Sequence, residues 1–396
     1  VKYRDRALRW RTGLLVGGVV AVASLVGALN SLPLTRFGYP TTQAYDAFLV
    51  DKLIGGVMGS LLIGGIICIV ATAGVALTRD LLFSGRSLAV GRLSVRTLFS
   101  ATTAQSTLVG YGLAFTHLGY VTLFYILGTR YLGVWSPAQM ADYDNAFSTA
   151  MPWIYPLLTG LLASTMEEFF FRLLAISLLL KYLRRPWIAV LLPAIVWGFL
   201  HSNYPVEPIY TRGLELTIVG VVFGIVYLRY GIWATVISHY AYNAFLSAFP
   251  MMQSSSTYFQ VSGVAVVAIL FLPAIPALYG LVTRKEGEAD PEEDEGEVPA
   301  DEPVTEMPPT DGEVVRKTPD AYLLDRTRFR VAVVLALIGA AAYMGFRVER
   351  FGSRTLVLAT SRAEAVQIAV GFLTDIGVDI EGYRRTVRFR SNLGSS

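Results

Sequence analysis

The sequence predicts an all-α protein, a polytopic bundle of transmembrane helices with about eight spans in its N-terminal part and one more after an acidic linker. Three observations predict this class. Of the 396 residues, 54% are hydrophobic and only 16% are charged, and the mean hydropathy is +0.51. Long apolar runs recur along most of the chain, and the acidic residues are concentrated in one stretch. Such a composition is typical of membrane proteins.

The apolar runs define the predicted spans. A helix needs about 20 mostly apolar residues to cross a hydrocarbon core about 30 Å thick. The fifth predicted segment is short and contains Pro193, so we expect it to be broken or partly re-entrant, which is tolerated only where protein surrounds the backbone. In chain order the nine segments are 12–31, 53–78, 106–127, 152–180, 187–201, 214–230, 232–250, 259–282 and 329–347.

The distribution of lysine and arginine predicts the orientation. With a cytoplasmic N-terminus, fifteen of these residues lie on inside segments and four on the outside loops up to the eighth span. Because basic residues are retained on the cytoplasmic side, we expect the N-terminus there, in the plasma (inner) membrane. The predicted partner of the apolar spans is therefore the lipid bilayer. Basic residues that flank spans do not form the patch that a nucleic acid would require, so no nucleic-acid partner is predicted.

The chain divides into four predicted regions. The first is an N-terminal region of three spans, and the second is the core that contains the polar motifs. The third has thirteen acidic residues between Glu286 and Glu313 and few large apolar ones, which predicts a disordered cytoplasmic linker. The last is a single span and a small extracytoplasmic tail, with an amphipathic helix, SRAEAVQIAVGFLTDIG, and a possible strand, TVRFR. Their limits are 1–149, 150–283, 284–325 and 326–396.

Ionisable side chains cluster inside the apolar segment 152–180. Glu167 and Glu168 lie near its middle, and Arg172 follows Glu168 by four residues, the favourable order for an ion pair on one helix face. Glu167 is rotated about 100° from its neighbour and is free to face another partner. Each ionisable residue at membrane depth costs about 2.5–3.5 kcal/mol on insertion scales, so the cluster indicates a functional site.

Histidine and amide side chains in two other segments are candidates for that partner. His201 ends the short segment PAIVWGFLH, and His239 and Asn243 are spaced i, i+4 on one helix face. The third histidine, His117, has no acidic or amide neighbour at such a spacing, and we interpret it as a satisfied structural residue. Each polar residue alone has an ordinary explanation, such as an ion pair or a helix cap. Together they are difficult to explain as packing, because each would need its own buried partner.

Three motifs resemble a known family. EEFFFR, WGFLH and HYAYN match, in family order, the Glu-Glu-x-x-x-Arg, Phe-x-x-x-His and His-x-x-x-Asn motifs of the CPBP intramembrane proteases, which include the Rce1-type CAAX prenyl proteases and the bacterial Abi proteins. The resemblance covers about residues 150–250. The sequence departs from the family pattern at Trp197, where the family usually has phenylalanine, and this change keeps an aromatic ring.

The resemblance implies an intramembrane endopeptidase and a role for each motif residue. Glu167 would act as general base on a water molecule, helped by His201. The oxyanion of the tetrahedral intermediate would be stabilised by His239 and Asn243. The pair that holds the first carboxylate in place would be Glu168 and Arg172. A desolvated carboxylate makes a better base, and an oxyanion hole gains from a water-poor site, so physical chemistry agrees with these roles.

The sequence specifies the cofactor and the substrate less closely than it specifies the site residues. We favour a metal-free reaction, and zinc is the alternative because carboxylate and imidazole are zinc donors, although the His-Glu-x-x-His pair is absent. The zinc ligands would be Glu167, His201 and His239. The predicted partner is a membrane-associated protein or peptide substrate.

Two other functions stay open. An ion-coupled transporter could use the same side chains as a relay. It would predict an internal repeat, which we do not find in the sequence. A catalytically inactive membrane scaffold or immunity factor is the other alternative, against which the intact motifs argue.

Overall fold

The computed structural model describes residues 10–78, 82–83, 86–87, 99, 101–135, 145–283, 326–351 and 358–389. These residues are almost entirely helical, as the sequence predicts. The N-terminal half contains α1 (Trp10–Asn30), α2 (Leu32–Thr35), α3 (Tyr45–Thr78), α4 (Ala101–Tyr131), α5 (Ile154–Glu167), a π-helical segment (Glu168–Ile176), α6 (Ser177–Leu183) and α7 (Pro186–Phe199). The remaining helices are α8 (Tyr210–Tyr230), α9 (Ile232–Met252), α10 (Thr257–Leu270), α11 (Ala274–Thr283), α12 (Arg326–Phe351) and α13 (Arg362–Asp375).

Extended structure in the described ranges is confined to short pairings. Strands β1 (Leu82–Phe83) and β2 (Arg86–Ser87) form one antiparallel hairpin. A single bridge joins Trp135, after α4, to Glu207, before α8. Two 3-10 turns, Arg36–Gly38 and Ala146–Ser148, complete the regular elements.

Among the described residues, four helices are long and apolar enough to cross a membrane. They are Trp10–Asn30, Tyr45–Thr78, Thr103–Tyr131 within α4, and Tyr210–Tyr230; shorter apolar helices are Pro186–Phe199, Thr257–Leu270 and Arg330–Phe346 within α12. Large apolar side chains along α3 face outwards, including Ile54, Leu61, Leu62 and Ile69. A contiguous apolar surface of this kind is stable in lipid and not in water. The chain is therefore an integral membrane protein, and the count of eight spans plus one stays a prediction.

Two predicted segments differ from the structure. Pro193 does not break its segment, because α7 is one continuous helix of 14 residues with Pro193 buried inside it. A proline removes one backbone hydrogen bond, and packing of the surrounding helix can compensate for that loss. The predicted span 259–282 is instead two helices, α10 and α11, separated at Phe271–Pro273.

Helix α9 lies at the centre of the core and packs against α4, α5, α8 and α10. Its contact with α5 is close because Gly160 has no side chain. A Cβ atom at Gly160 would lie 2.8 Å from the Tyr240 carbonyl oxygen and 3.0 Å from the Ala244 Cβ. The two helices that contain Glu167 and His239 therefore meet with their backbones nearly in contact.

The C-terminal region folds back onto the bundle. Helix α12 packs along α4, and Tyr343 is buried against Phe245 and Phe249 of α9, with ring centroids 5.6 and 5.5 Å apart. Helix α13 occupies the predicted amphipathic stretch and begins with a capping box between Ser361 and Glu364. The predicted strand TVRFR is wrong as far as it is described, because residues 386–389 are not in a strand.

The tail contacts three connections between helices. The Phe389 N–H donates to the Ser148 hydroxyl at 2.7 Å, the Thr386 hydroxyl donates to the Pro33 carbonyl at 3.1 Å, and the Ser254 hydroxyl donates to the Leu358 carbonyl. The predicted topology assigns all these segments to the same side of the membrane, and they lie at one end of the bundle. The predicted linker, 284–325, lies outside the described residues.

Candidate active site

The predicted fourth span changes helical form at its paired glutamates. Glu167 is the last residue of α5, and Glu168 is the first of the π-helical segment, which continues to Ile176 before α6 begins. In a π-helix the backbone hydrogen bonds join residues five apart instead of four, and such segments are frequently found at functional sites. Both carboxylates point into the bundle, towards α7 and α9.

Glu168 is the centre of a buried polar network. Its side chain is 0% exposed, and its Oε1 atom accepts hydrogen bonds from Arg172 Nη1 at 3.1 Å and His239 Nδ1 at 2.8 Å. The Arg172 guanidinium lies 4.2 Å from the ring centroid of Trp197 and 5.3 Å from that of Phe223. A buried ion pair that is hydrogen-bonded and stacked on aromatic rings is far less costly than an isolated buried charge.

Glu167 has different neighbours and greater access. Its Oε2 atom accepts a hydrogen bond of 2.5 Å from the Trp197 indole N–H. The same oxygen lies 3.8 Å from His201 Nε2 and 4.0 Å from His239 Nε2. The Glu167 side chain is 26% exposed, so a small molecule can reach it. Two imidazole nitrogens and one indole thus converge on a single accessible carboxylate oxygen.

The hydrogen bonds of the two histidines define which ring nitrogen faces Glu167. His201 Nδ1 lies 2.8 Å from the Trp197 carbonyl oxygen, and His239 Nδ1 lies 2.8 Å from the Glu168 carboxylate. Because both partners can only accept, Nδ1 is the donor in each ring. In the neutral imidazoles Nε2 is therefore an acceptor, and in the imidazolium form it donates towards Glu167.

Asn243 stands apart from the other predicted site residues. It lies one turn after His239 on α9 and is half-buried. Within the described chain no hydrogen bond engages its amide, so it is available to a ligand. The structure thus brings Glu167, Glu168, Arg172, His201 and His239 together and places Asn243 beside them on the same helix face.

This site lies in a segment that matches a protein-family model. Residues 149–245 match the Rce1-like family model. Its full description is Type II CAAX prenyl endopeptidase Rce1-like, and the matched segment includes all six predicted site residues. The match confirms the resemblance inferred from the three motifs, over less than half of the chain. The chain has no significant match among curated proteins and none among solved structures.

Two aromatic residues of the Rce1-like segment were not predicted as part of the site. The sequence indicates Trp197 only as an aromatic replacement for the phenylalanine of the family motif. An indole, unlike a phenyl ring, has an N–H to donate. Phe223 lies against both Arg172 and His239, with its ring centroid 6.1 Å from the imidazole. An apolar ring in α8 has no sequence signal that distinguishes it from core packing.

His117 of α4, outside the Rce1-like segment, is not the satisfied residue that its sequence context suggested. It is 6% exposed and stacks on Tyr242, with centroids 3.8 Å apart and planes at 9°. Neither ring nitrogen has a hydrogen-bond partner among the described residues. The interpretation as a hydrogen-bonded structural residue was wrong, because stacking buries the ring without supplying acceptors or donors.

The zinc alternative can be compared with these side chains. Zinc requires carboxylate and imidazole donors about 2.0–2.2 Å from one centre. In the described part of the chain, no group of three or more His, Cys, Asp or Glu side chains has the arrangement of a metal site. The Nε2 atoms of His201 and His239 lie 3.8 and 4.0 Å from Glu167 Oε2, and the Trp197 indole N–H donates to the same oxygen. These side chains would have to rearrange to hold zinc.

Proposed function

We propose that this protein is an intramembrane endopeptidase that hydrolyses a peptide bond of a membrane-associated protein or peptide with a water molecule activated by Glu167. The observation that supports this most directly is the contrast between two adjacent carboxylates. Glu168 is fully buried and bound to Arg172 and His239, whereas Glu167 is accessible and faces two imidazole Nε2 atoms. The match of residues 149–245 to an endopeptidase family supports the same reaction.

In the proposed first step, Glu167 accepts a proton from a water molecule, and the oxygen of that water attacks the carbonyl carbon of the substrate. His201 assists, because its Nε2 lies 3.8 Å from the Glu167 Oε2 atom and can accept a hydrogen bond from the same water. The carbon–oxygen bond forms as the carbonyl π bond opens to an oxyanion. When the carbon–nitrogen bond then breaks, the proton held by Glu167 passes to the leaving amine.

The oxyanion is proposed to be stabilised from α9. Glu168 accepts a hydrogen bond from the His239 Nδ1–H and so holds the ring with Nε2 towards Glu167. The Nε2–H of the imidazolium form would donate to the developing negative charge. The Asn243 amide, one turn further along α9, supplies a second N–H. Arg172 donates a hydrogen bond to Glu168 and balances its charge in this buried position.

The setting of this reaction is also proposed. The exposed apolar surface and the long helices support a bilayer location, and the basic residues support a plasma (inner) membrane with a cytoplasmic N-terminus. The substrate is a membrane-associated chain, because it must reach a carboxylate inside the bundle. The reaction is written without a metal, and chelation tests the zinc alternative.

The test is cleavage of a fluorogenic peptide library by purified protein in nanodiscs. Glu167→Gln and His239→Ala are expected to reduce kcat by about 100-fold or more, the range lost with a general base or an oxyanion donor. Asp51→Asn, at an exposed carboxylate on α3, is the matched control and should leave kcat unchanged.

Each arm of this test can contradict the proposal. Cleavage that survives in Glu167→Gln would refute the role of Glu167. Loss of cleavage on chelation, with recovery on adding zinc, would establish the metal-dependent alternative. A folded wild-type protein that cleaves nothing would favour the inactive scaffold or immunity factor, and Glu167-dependent proton flux in liposomes would favour the ion-coupled transporter.

A further inference from the structure

A second polar cluster lies beside the candidate active site and has no part in the proposed reaction. Glu215, in α8, is 0% exposed, and its Oε2 atom accepts hydrogen bonds from the Tyr125 hydroxyl at 2.9 Å and from Arg212 Nη1. The Tyr120 hydroxyl donates to the Glu215 carbonyl oxygen at 3.1 Å. These contacts join the first turns of α8 to α4 and hold the Arg212 guanidinium in one orientation.

The contacts leave one edge of Arg212 unused. Only Nη1 is engaged by Glu215, and the buried Nε–H has no hydrogen-bond partner in the described part of the chain. No hydrogen bond from Nη2 is found among the described residues either. The Nε–H and the adjacent Nη2–H form the planar fork with which arginine binds a carboxylate in a bidentate manner. The Arg212 side chain is 18% exposed although Nε itself is buried, so a ligand can approach the guanidinium and reaches Nε–H only by displacing the groups that cover it.

The fork lies next to the catalytic residues. The Tyr204 ring lies between them, stacked on His201 at a centroid distance of 6.1 Å and 5.2 Å from the Arg212 guanidinium carbon. A Cβ atom at Gly198 would lie 2.6 Å from the Gly213 carbonyl oxygen, so the start of α8 touches the end of α7 where His201 follows. A peptide bound at Glu167 would therefore pass close to Arg212.

We propose that Arg212 is a substrate-recognition residue that binds a carboxylate of the peptide through Nε–H and Nη2–H, in a site held by Glu215 and Tyr125. This role rests on the proposed function, because the ligand is the peptide that Glu167 would attack. Glu215 neutralises the guanidinium in the free protein, and both Tyr125 and Arg212 Nη1 donate to its Oε2 atom, so these contacts leave the second edge of the guanidinium unoccupied. The carboxylate is either the C-terminal group of the peptide or an acidic side chain.

The experiment measures peptide binding to the full-length protein in nanodiscs, with Glu167→Gln present so that no cleavage occurs. Three acylated peptides of one sequence are compared: one with a free C-terminal carboxylate, one amidated with a single glutamate, and one amidated and neutral. Arg212→Gln is expected to raise the Kd of the recognised carboxylate peptide by about 10- to 100-fold, the effect of losing a charge-assisted bidentate pair. The neutral peptide should bind as before.

Two further variants sharpen the result. Arg212→Lys keeps the charge but not the planar fork, so its Kd should fall between those of the parent and Arg212→Gln. Arg130→Gln removes an exposed arginine at the end of α4 and should change no Kd. If Arg212→Gln lowers the melting temperature by leaving Glu215 unpaired, the double variant Arg212→Gln/Glu215→Gln carries the same prediction.

Equal weakening of all three peptides, or no weakening of any, would overturn the role of Arg212. The peptide whose binding depends on Arg212 identifies whether the carboxylate is terminal or in a side chain. Because binding is measured without turnover, a wild-type protein that cleaves nothing but still binds a carboxylate peptide through Arg212 would refute the proposed reaction and not the recognition site.

Discussion

Glu167 and Glu168 show how two adjacent residues of one type acquire different properties from their surroundings. Glu168 is 0% exposed and has a cation and an imidazole as hydrogen-bonding partners, whereas Glu167 is 26% exposed and is held by one indole N–H. Pairs of carboxylates whose environments differ in this way are a recurring basis for separate catalytic roles. Here the difference separates a residue that positions His239 from one that can meet a water molecule.

Trp197 is expected to orient the proposed general base. Trp197→Phe removes the indole N–H that donates a hydrogen bond to Glu167 and keeps an aromatic ring beside Arg172. We expect kcat/KM to fall about 10-fold, since a hydrogen bond to a charged group contributes about 1.5–3 kcal/mol. The control is Trp233→Phe, which removes an indole N–H bound to the Thr107 hydroxyl at 2.9 Å. Equal losses in the two variants would show that Trp197 acts only in packing.

The buried pair of Glu168 and Arg172 can be separated from the reaction by a double-mutant cycle. Glu168→Gln leaves the Arg172 charge uncompensated, and we expect it to lower the free energy of unfolding by about 3–5 kcal/mol. The double variant Glu168→Gln/Arg172→Met should recover most of that stability, because neither charge of the pair remains. It should nevertheless stay inactive, because the Nδ1–H of His239 loses its charged acceptor. Chemical denaturation and peptide cleavage measure the two effects. Full activity in the double variant would contradict the role given to Glu168.

At the scale of elements, the site depends on how closely α5 and α9 approach each other. Glu167 ends α5, and His239 lies in the middle of α9, so any separation of these helices lengthens the 4.0 Å distance between Glu167 Oε2 and His239 Nε2. The π-helical segment that follows Glu167 packs against α3, where a Cβ atom at Gly74 would lie 2.7 Å from the Leu173 Cγ. Small residues at these helix contacts, Gly160 and Gly74, therefore hold the two carboxylates in position.

Gly160→Ala tests this close packing. Its Cβ would lie 2.8 Å from the backbone oxygen of Tyr240, which cannot move alone, so α5 and α9 must separate. We expect kcat to fall by about 10-fold or more, because small misplacements of reacting groups cost up to about 100-fold. Gly59→Ala on α3 is the control, since nothing lies within 4 Å of its Cβ and alanine is the better helix former. Unchanged cleavage by Gly160→Ala would show that the helices tolerate separation.

At the scale of the whole molecule, the C-terminal region is packed into the fold and not simply tethered to it. Helix α12 crosses α4 so closely that a Cβ atom at Gly339 would lie 2.3 Å from the Phe115 carbonyl oxygen. Tyr343, one turn later, is buried against the end of α9, beyond the proposed oxyanion residues. The tail then contacts the connections at one end of the bundle.

Displacing α12 should therefore affect α9, the helix that contains His239 and Asn243. Gly339→Leu is expected to detach α12 from α4 and to reduce kcat severalfold, because Phe245 and Phe249 lose their contact with Tyr343. Gly345→Leu, on the same helix with nothing within 4 Å of its Cβ, should leave cleavage unchanged. Proteolysis of the linker and cross-linking of α12 to α4 would report detachment. Detachment without any change in cleavage would make α12 a tether only.

The sequence by itself determined the class of the protein and the candidate residues of its site. Hydrophobic runs of helical length predict helices because a bilayer leaves no other way to satisfy most backbone groups, and the described chain is helical. The spacing of Glu168 and Arg172, or of His239 and Asn243, assigns pairs to one helix face. The three motifs identified a family to which residues 149–245 are indeed matched.

Only the tertiary structure decided what those side chains touch. Whether Glu167 or Glu168 meets His239 depends on the rotation of one helix against another, which local spacing cannot specify. The same limit explains why the sequence does not mark Trp197 and Gly160 as site residues, since each contacts a neighbour that is distant in sequence. Pro193 remains inside a helix for the same reason: packing against other elements, and not local propensity, decides whether a helix survives.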